Sequence, residues 1–320
     1  MELIYKDKAG RDVGFLSDSV NVDFDIGVTN DFELTTTTSN NLLDDGFTIY
    51  EDGSELGGIV STISVDTGSK SLKYGGLTWR GMLTKHIIKP SAGEDYRVVT
   101  GTVHSILSAL ISDFGIGSVF IADADNTTIS NFQFDRYCTA LSGINKMMAS
   151  VGRRLSIEYL SFDDKVHLVS KPIVDYSSSI ELSEDGNVCM KIKRNNQKVN
   201  HLVCLGKGEL KDRVTADLYL QADGTIGTVQ YYTGIDEVAE VYDYNSAESA
   251  DDLVAKGKEK FAELIKTDTI ETSLSNDINV DLYDILGGRE RITGIAVKVA
   301  VINKIIKRDK GNVTTSYKVG

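Results

Sequence analysis

Apolar and polar positions alternate with a period of two along much of the first eighty residues, the spacing that sets one face of a β-strand against a core. Leu3-Ile4-Tyr5 and Val13-Gly14-Phe15-Leu16 flank the turn residues Lys8-Ala9-Gly10-Arg11. Asp31-Phe32-Glu33-Leu34 runs into four threonines, a strongly β-favouring stretch. Phe47-Thr48-Ile49-Tyr50 precedes Glu51-Asp52-Gly53-Ser54, where Asp-Gly marks a hairpin. Ile59, Ile63 and Val65 keep the alternation, Thr67-Gly68-Ser69 turns the chain, and Leu72, Tyr74, Leu77 and Trp79 follow. The pattern slips between Tyr74 and Leu77. A β-bulge is therefore expected at Gly75-Gly76, with Trp79 in a strand beyond it.

The period then lengthens. Val103, Ile106, Leu107, Leu110, Ile111 and Phe114 fall at helical spacing, and Gly115 stops the run. A second helix is expected over Thr139–Val151, with Leu141, Ile144, Met148 and Val151 on one face and Gly152 at its end. Strands Leu155–Tyr159 and Val166–Val169 follow, so this stretch reads as a small α/β unit. Strand character returns from Ile180 to about Gln230. A third helix is expected over Ser246–Ile265, opened by Ser249 and Asp252 as a capping box and burying Leu253, Gly257, Phe261, Leu264 and Ile265. Ile295, Val297, Val299 and Val301 restore the two-residue period, and Lys310-Gly311-Asn312 turns into Val313–Val319. Phe47–Gly76 and Val280–Gly320 share one order of strands and glycine turns, a weak internal repeat that suggests two related β domains.

Composition agrees with strands joined by glycine turns, since the 320 residues include 29 glycines and only two prolines. At roughly 100–200 residues per domain, two or three domains are expected. Acids outnumber bases 47 to 34, a net charge of −13, which argues against nucleic-acid binding by bulk charge. Cys138, Cys189 and Cys204 lack CxxC spacing and are expected to be reduced thiols of a cytoplasmically made, soluble product. Met1–Asp7 is too short and too charged for a signal peptide, and no apolar run nears the ~20 residues of a membrane span.

No chemistry-bearing pattern stands out. His86, His104, His167 and His201 are scattered, without HExxH or HxH spacing. On a strand, His201 and Cys204 would face opposite ways. Asp123-Ala124-Asp125-Asn126 opens like a calcium loop but has Thr128 and Phe134 where such a loop needs glycine and glutamate. Gly206-Lys207-Gly208 lacks the third glycine of a dinucleotide site, and Ser142-Gly143 sits in a helix rather than a nucleophile elbow. The acid pairs Asp163-Asp164, Asp236-Glu237 and Asp251-Asp252 are what so acidic a chain produces by chance. Lys191-Ile192-Lys193-Arg194 and Lys304-Ile305-Ile306-Lys307-Arg308 are basic clusters in this acidic chain, readable as solvated strand faces or as docking points for an acidic neighbouring subunit. No catalytic, cofactor-binding or metal-ligating residue is nominated.

The order of segments resembles the baseplate and tail hub proteins of long-tailed bacteriophages and phage-tail-like particles. Asp31–Leu34 followed by Gly46-Phe47-Thr48-Ile49-Tyr50 looks like the family's first barrel strands, and Leu56-Gly57-Gly58-Ile59-Val60 like its next hairpin. Gly76 through Arg80-Gly81-Met82-Leu83 and His86-Ile87-Ile88 resembles the segment leaving the first barrel. Lys171-Pro172 to Tyr176, and Asn200-His201-Leu202-Val203 to Gly208, resemble the return into it. Thr233-Gly234-Ile235-Asp236-Glu237 with Leu253–Leu264 resembles the entry to the last domain, and Tyr317-Lys318-Val319-Gly320 its closing hairpin. In Asp281-Leu282-Tyr283-Asp284-Ile285-Leu286, Tyr283 stands where the family often has glycine.

The resemblance implies a mainly β fold with an α+β insertion: two tail-tube-like β-barrels and a small α/β domain. The first barrel would take residues 1–90 and 178–230, the insertion 91–177, and the second barrel 231–320 with its helix at about 246–265. It implies a homotrimeric structural adaptor without cofactor or catalytic activity. Three copies with two barrels each would form a pseudo-sixfold ring between a hexameric tail tube and a threefold spike or fibre. Partners would be the tail tube protein, distal tail or baseplate proteins and the central spike or fibre. DNA would pass through the lumen without specific binding, and no membrane anchor or appended peptidoglycan-cleaving domain is expected. The implied place is the virion tail, assembled in the bacterial host cytoplasm. The alternative is a carbohydrate- or receptor-binding β module and, after it, a glycan hydrolase.

Overall fold

A computed structural model of the chain describes every residue except 179–180, 183–189, 194–197, 248, 266–268, 273–279, 290–292 and 295. It describes 181–182, 190–193, 269–272 and 297 by backbone alone. Eight strands come first: β1 (Ile4–Lys6), β2 (Asp12–Phe15), β3 (Asn21–Ile26), β4 (Asp31–Thr37), β5 (Thr48–Tyr50), β6 (Gly57–Ile59), β7 (Thr62–Asp66) and β8 (Ser71–Leu77). The helical turn α1 (Trp79–Met82) leads to β9 (Val98–Thr102), α2 (Val103–Phe114), β10 (Phe120–Ala122) and β11 (Thr128–Gln133). Next are α3 (Ala140–Ala149), β12 (Arg153–Leu160), β13 (Lys165–Pro172), β14 (Glu181–Leu182) and β15 (Met190–Lys193). Then follow β16 (His201–Leu205), β17 (Thr215–Leu220), β18 (Ile226–Gly227), β19 (Ala239–Asp243) and α4 (Ala250–Leu264). β20 (Thr269–Thr272), β21 (Ile285–Arg289), β22 (Ala296–Asp309) and β23 (Asn312–Val319) complete the order.

The chain divides into two compact units. The first holds Met1–Met190, Thr272–Gly287 and Ala300–Val319; the second holds Lys191–Glu271, Gly288–Val299 and Gly320. In the first unit, β23, β22, β3, β4, β8 and β7 lie side by side in one antiparallel sheet. Its alternation follows the sequence. Val22, Phe24, Phe32, Leu34, Leu72 and Tyr74 point to the core, while Asp23, Asp25, Asp31, Glu33 and Lys73 point the other way. A smaller sheet runs β2-β1-β5-β6.

The α/β part of this unit is a sheet of order β10-β13-β12 covered by α2 and α3. Leu107, Leu110, Ile144, Met148, Leu155 and Val166 share its core. Each such buried side chain contributes about 1.5–3 kcal/mol relative to leaving it in water. α2 starts and stops where the sequence predicts, while α3 ends at Ala149, two residues before the expected Val151. Thr102 and Thr139 cap α2 and α3 through their side chains, and Gly115 ends α2 in a left-handed conformation at φ 67°.

In the second unit, β18-β17-β16-β19 form a sheet on which α4 packs, burying Leu202, Cys204, Leu218, Leu253 and Phe261. Ser249 caps α4 by accepting from Asp252 N, the hydroxyl half of the expected capping box, and the helix begins at Ala250 rather than at Ser246. The helix lies close, because a Cβ on Gly257 would come within 2.6 Å of Cys204 Sγ.

Several expectations need amendment. No bulge occurs at Gly75-Gly76, since β8 pairs in unbroken register with β4 from Leu77↔Asp31 to Ser71↔Thr37. The glycines are there for close approach: a Cβ on Gly76 would sit 2.1 Å from Ile59 O. Trp79 begins a helical turn rather than continuing a strand, because Thr78 caps that turn by accepting from Gly81 N. None of the described sheets closes into a barrel. The boundary expected at residue 230 falls within one sheet, since β16 pairs with β19 in parallel. The final hairpin β22–β23 adds to β3. Of the repeat, the described part of Val280–Gly320 contains the 14-residue β22, where Phe47–Gly76 has the short β6 and β7.

Candidate functional site

Residues with chemical potential are placed in separate structural roles. His167 lies between Asp123 at Nδ1 (2.6 Å) and Asp163 at Nε2 (3.1 Å). His201 lies between Glu237 at Nδ1 (2.6 Å) and Asp217 at Nε2 (2.9 Å). With a carboxylate on both ring nitrogens, each ring is satisfied only as an imidazolium. Burial opposes that charge, but the carboxylates outweigh it and raise both pKa values above 6.5. His104 is 3.1 Å from Asp123 O through Nδ1, and His86 stacks on Phe114. His201 and Cys204 face opposite sides of β16, as a strand dictates, and Cys204 is fully buried.

The adjacent acids part company too. Asp164 accepts from the buried Lys6 Nζ and from Tyr159, while its neighbour Asp163 holds His167. Asp251 and Asp252 sit in the first turn of α4, where carboxylates suit the helix dipole. Asp125 bonds Thr127 N and Arg153 Nη2. These contacts overcome burial and hold its pKa down at about 2. Gly206-Lys207-Gly208 forms the turn from β16 toward β17, with Gly206 N donating to Val214 O. Gly143 serves packing, as a Cβ there would meet Ile88 Cδ1 at 2.6 Å. Among the described residues no group of three metal ligands converges. Cys138 and Cys204 are free thiols, and Cys189 lies outside the described residues.

Of the two basic clusters, Lys304–Arg308 is used internally. Lys307 pairs with Asp23 at 2.6 Å, and Arg308, 2% exposed, donates to Ser17 O. In Lys191–Arg194, the first three residues are described only as the backbone of β15, and Arg194 lies outside the described residues.

Two polar ties brace the first unit and were not foreseen. Arg80, 2% exposed, places Nε 2.5 Å from Glu55 Oε1 and donates from Nη2 to Glu55 and Leu155 O. Arg154 pairs with Asp281 (2.8 Å) and Asp284 (3.2 Å). These partners are remote in sequence, so no local pattern announces them. Tyr283, standing where the resembled family often has glycine, takes the glycine-like φ of 71°.

The accessible features suited to binding are apolar strand edges. Val13 and Phe15 are exposed on β2, Ile63 and Val65 on β7, and Val241 on β19. Phe162, Tyr137 and Tyr231 are also exposed but lie in separate loops.

No protein-family model and no curated protein matches the sequence. Solved structures do match it. A 43 kDa tail protein of prophage MuSo2 from Shewanella oneidensis superposes with TM-score 0.62 at 13% identity, covering 100% of this chain and 98% of that one. A tail protein from Neisseria meningitidis gives 0.60 at 14%, covering 100% and 96%. A prophage tail protein from Listeria monocytogenes gives 0.59 at 14%, covering 100% and 94%. At such identities the likeness is one of fold, and the fold of this chain is that of these tail proteins from end to end.

Proposed function

We propose that this protein is a structural subunit of a phage tail or phage-tail-like particle, acting as the hub that joins tail tube to central spike or fibre. The observation that carries the reading is the end-to-end match with the Shewanella tail protein, which covers all of this chain and 98% of that one. A match that leaves almost nothing over in either chain concerns the whole architecture rather than one common motif. The exposed strand edges support it, because proteins that work alone blunt such edges.

In this reading three copies form a ring. Its β-rich parts are two barrel-like domains per subunit around the α/β layer of about 91–177. The ring contacts tail tube, distal tail or baseplate proteins and spike, and stands in the virion tail after assembly in the host cytoplasm. The net charge of −13 suits a channel through which DNA passes without sticking. The role needs no cofactor and no catalytic residue.

Negative-stain electron microscopy with native mass measurement tests the proposal. A threefold ring with an open channel is the expected result. A chain that stays monomeric with its tail neighbours present and binds glycans on an array overturns the hub in favour of a carbohydrate-binding module.

A further inference from the structure

We propose that the first unit carries a binding site for a small neutral polyhydroxyl molecule, a monosaccharide or the end residue of a saccharide chain, in the cavity beside Arg80 and Arg154. The cavity has a volume of about 330 Å³, at the lower end of the range of small-molecule sites, and all its lining residues belong to this unit. Residues 53–56, β12 at 154–158, Lys171 of β13, the turn at 281–282, and Lys304 and Ile306 of β22 enclose it.

Two buried guanidinium groups on its wall have donors to spare. Arg80, 2% exposed, binds Glu55 through Nε and Nη2 and Leu155 O through Nη2. Its Nη1 has no partner among the described residues and is what Arg80 can offer to the cavity. Arg154, 7% exposed, has an Nε that lies 3.2 Å from Asp284 without forming a hydrogen bond. A buried cationic N–H left unpaired costs free energy, so both groups call for an acceptor that the chain itself does not supply.

The charges of the lining select the kind of acceptor. Glu51, Glu55, Glu158 and Asp281 stand against Arg80, Arg154, Lys171 and Lys304, four of each sign, and Asp284 adds a carboxylate behind Arg154. The cations are already engaged: Arg80 by Glu55, Lys171 by Glu158, and Arg154 and Lys304 by Asp281. An entering carboxylate or phosphate finds no uncompensated cation and faces these acids, an entering cation meets the two spare donors, and an apolar molecule leaves those donors unpaired. A hydroxyl group suits both sides. Its oxygen accepts from a guanidinium, and its proton goes to the lone pairs a carboxylate keeps beyond its ion pair. A ring bearing several hydroxyls does this on several walls at once, while Leu56, Leu282 and Ile306 meet its C–H faces. A single amide answers only one wall.

Ligand-observed NMR titration of the full chain with glucose, galactose, N-acetylglucosamine, sodium acetate and acetamide tests this, with circular dichroism to confirm folding. At least one sugar is expected to saturate a site with a Kd of about 10 mM or below, and acetate and acetamide to bind about tenfold more weakly or worse. Ser156→Leu fills the cavity without touching an ion pair, and Arg80→Met removes the spare donor. Each is expected to weaken sugar binding about tenfold or more. Binding of the methyl glycoside as tight as that of the free sugar supports a chain end as the occupant, and its loss supports the free sugar. If none of the three sugars saturates, the cavity holds water alone and the inference is overturned. Tighter binding of acetate or acetamide overturns it, as does sugar binding that survives Ser156→Leu in a folded protein. A threefold ring without sugar binding overturns this inference and leaves the hub reading standing.

Discussion

Tyr283 accepts a hydrogen bond from Asn145 Nδ2 at 2.8 Å while its backbone holds φ 71°, in the left-handed region. A side chain there costs about 1–2 kcal/mol, which glycine avoids. The turn is held regardless, since Tyr283 N donates to Val301 O (2.7 Å) and Val301 N to Asp284 O (2.9 Å). Tyr283→Ala loses the ring and keeps the strain, whereas Tyr283→Gly loses the ring and relieves it. Tyr283→Gly is therefore expected to be about 1 kcal/mol more stable than Tyr283→Ala in urea unfolding. Equal stabilities would show that the left-handed conformation carries no cost here.

The buried Arg80–Glu55 pair is asymmetric in what its loss should do. Glu55→Ala leaves a guanidinium in the core with Leu155 O as its one hydrogen-bond acceptor among the described residues, and about 3–5 kcal/mol of destabilisation is expected. Arg80→Met removes the charge itself and should cost less than Glu55→Ala. Chemical denaturation of the two variants decides the order, and the reverse ranking would mean that Arg80 reaches water once Glu55 is gone.

His201 should make the second unit sensitive to alkali. Burial lowers its affinity for a proton, yet Asp217 and Glu237 raise it more, so the folded pKa lies above 6.5. Its stabilising contribution is complete below the unfolded value of about 6.5 and is lost as pH rises through the folded value. The other neighbour in contact is Tyr219, stacked at 4.4 Å. Proton NMR titration of the imidazole resonances is expected to show His201 and His167 titrating above 6.5. His201→Gln should remove the His201 resonance and flatten stability over that pH range.

Gly57 touches the chain's one tryptophan. A Cβ at Gly57 would lie 2.4 Å from Trp79 Nε1 and 2.6 Å from Ile49 O, and the second of these is backbone that cannot swing aside. Gly57→Ala is expected to cost about 1–3 kcal/mol by overpacking. The same change should alter the fluorescence of Trp79, which stacks on Tyr159 at 5.6 Å. An unchanged spectrum at unchanged stability would show that β6 shifts freely.

The local grammar of the chain was legible without coordinates. The spacing of Val103 to Phe114, with Gly115 after it, set α2 to the residue, and Ser249 with Asp252 set the start of α4. Gly10, Gly53 and Gly311 turn the chain with positive φ where Lys-Ala-Gly-Arg, Asp-Gly and Lys-Gly-Asn predicted turns. The break at Gly75-Gly76 was misread for an equally local reason. A glycine pair can signal a bulge or a close approach, and only the position of Ile59 tells which.

The sequence by itself determined the three longer helices to within a few residues, several glycine turns and the β-rich class, because these depend on contacts within a few residues and on side-chain periodicity. Tertiary structure alone decided the remainder. It paired β16 with β19 and β22 with β3, buried Arg80 against Glu55, split neighbouring acids between different partners, and placed β7 at the edge of its sheet among the described strands. Strand pairing and buried charge depend on which remote segments meet, and alternation states only that a face must be covered, not by what.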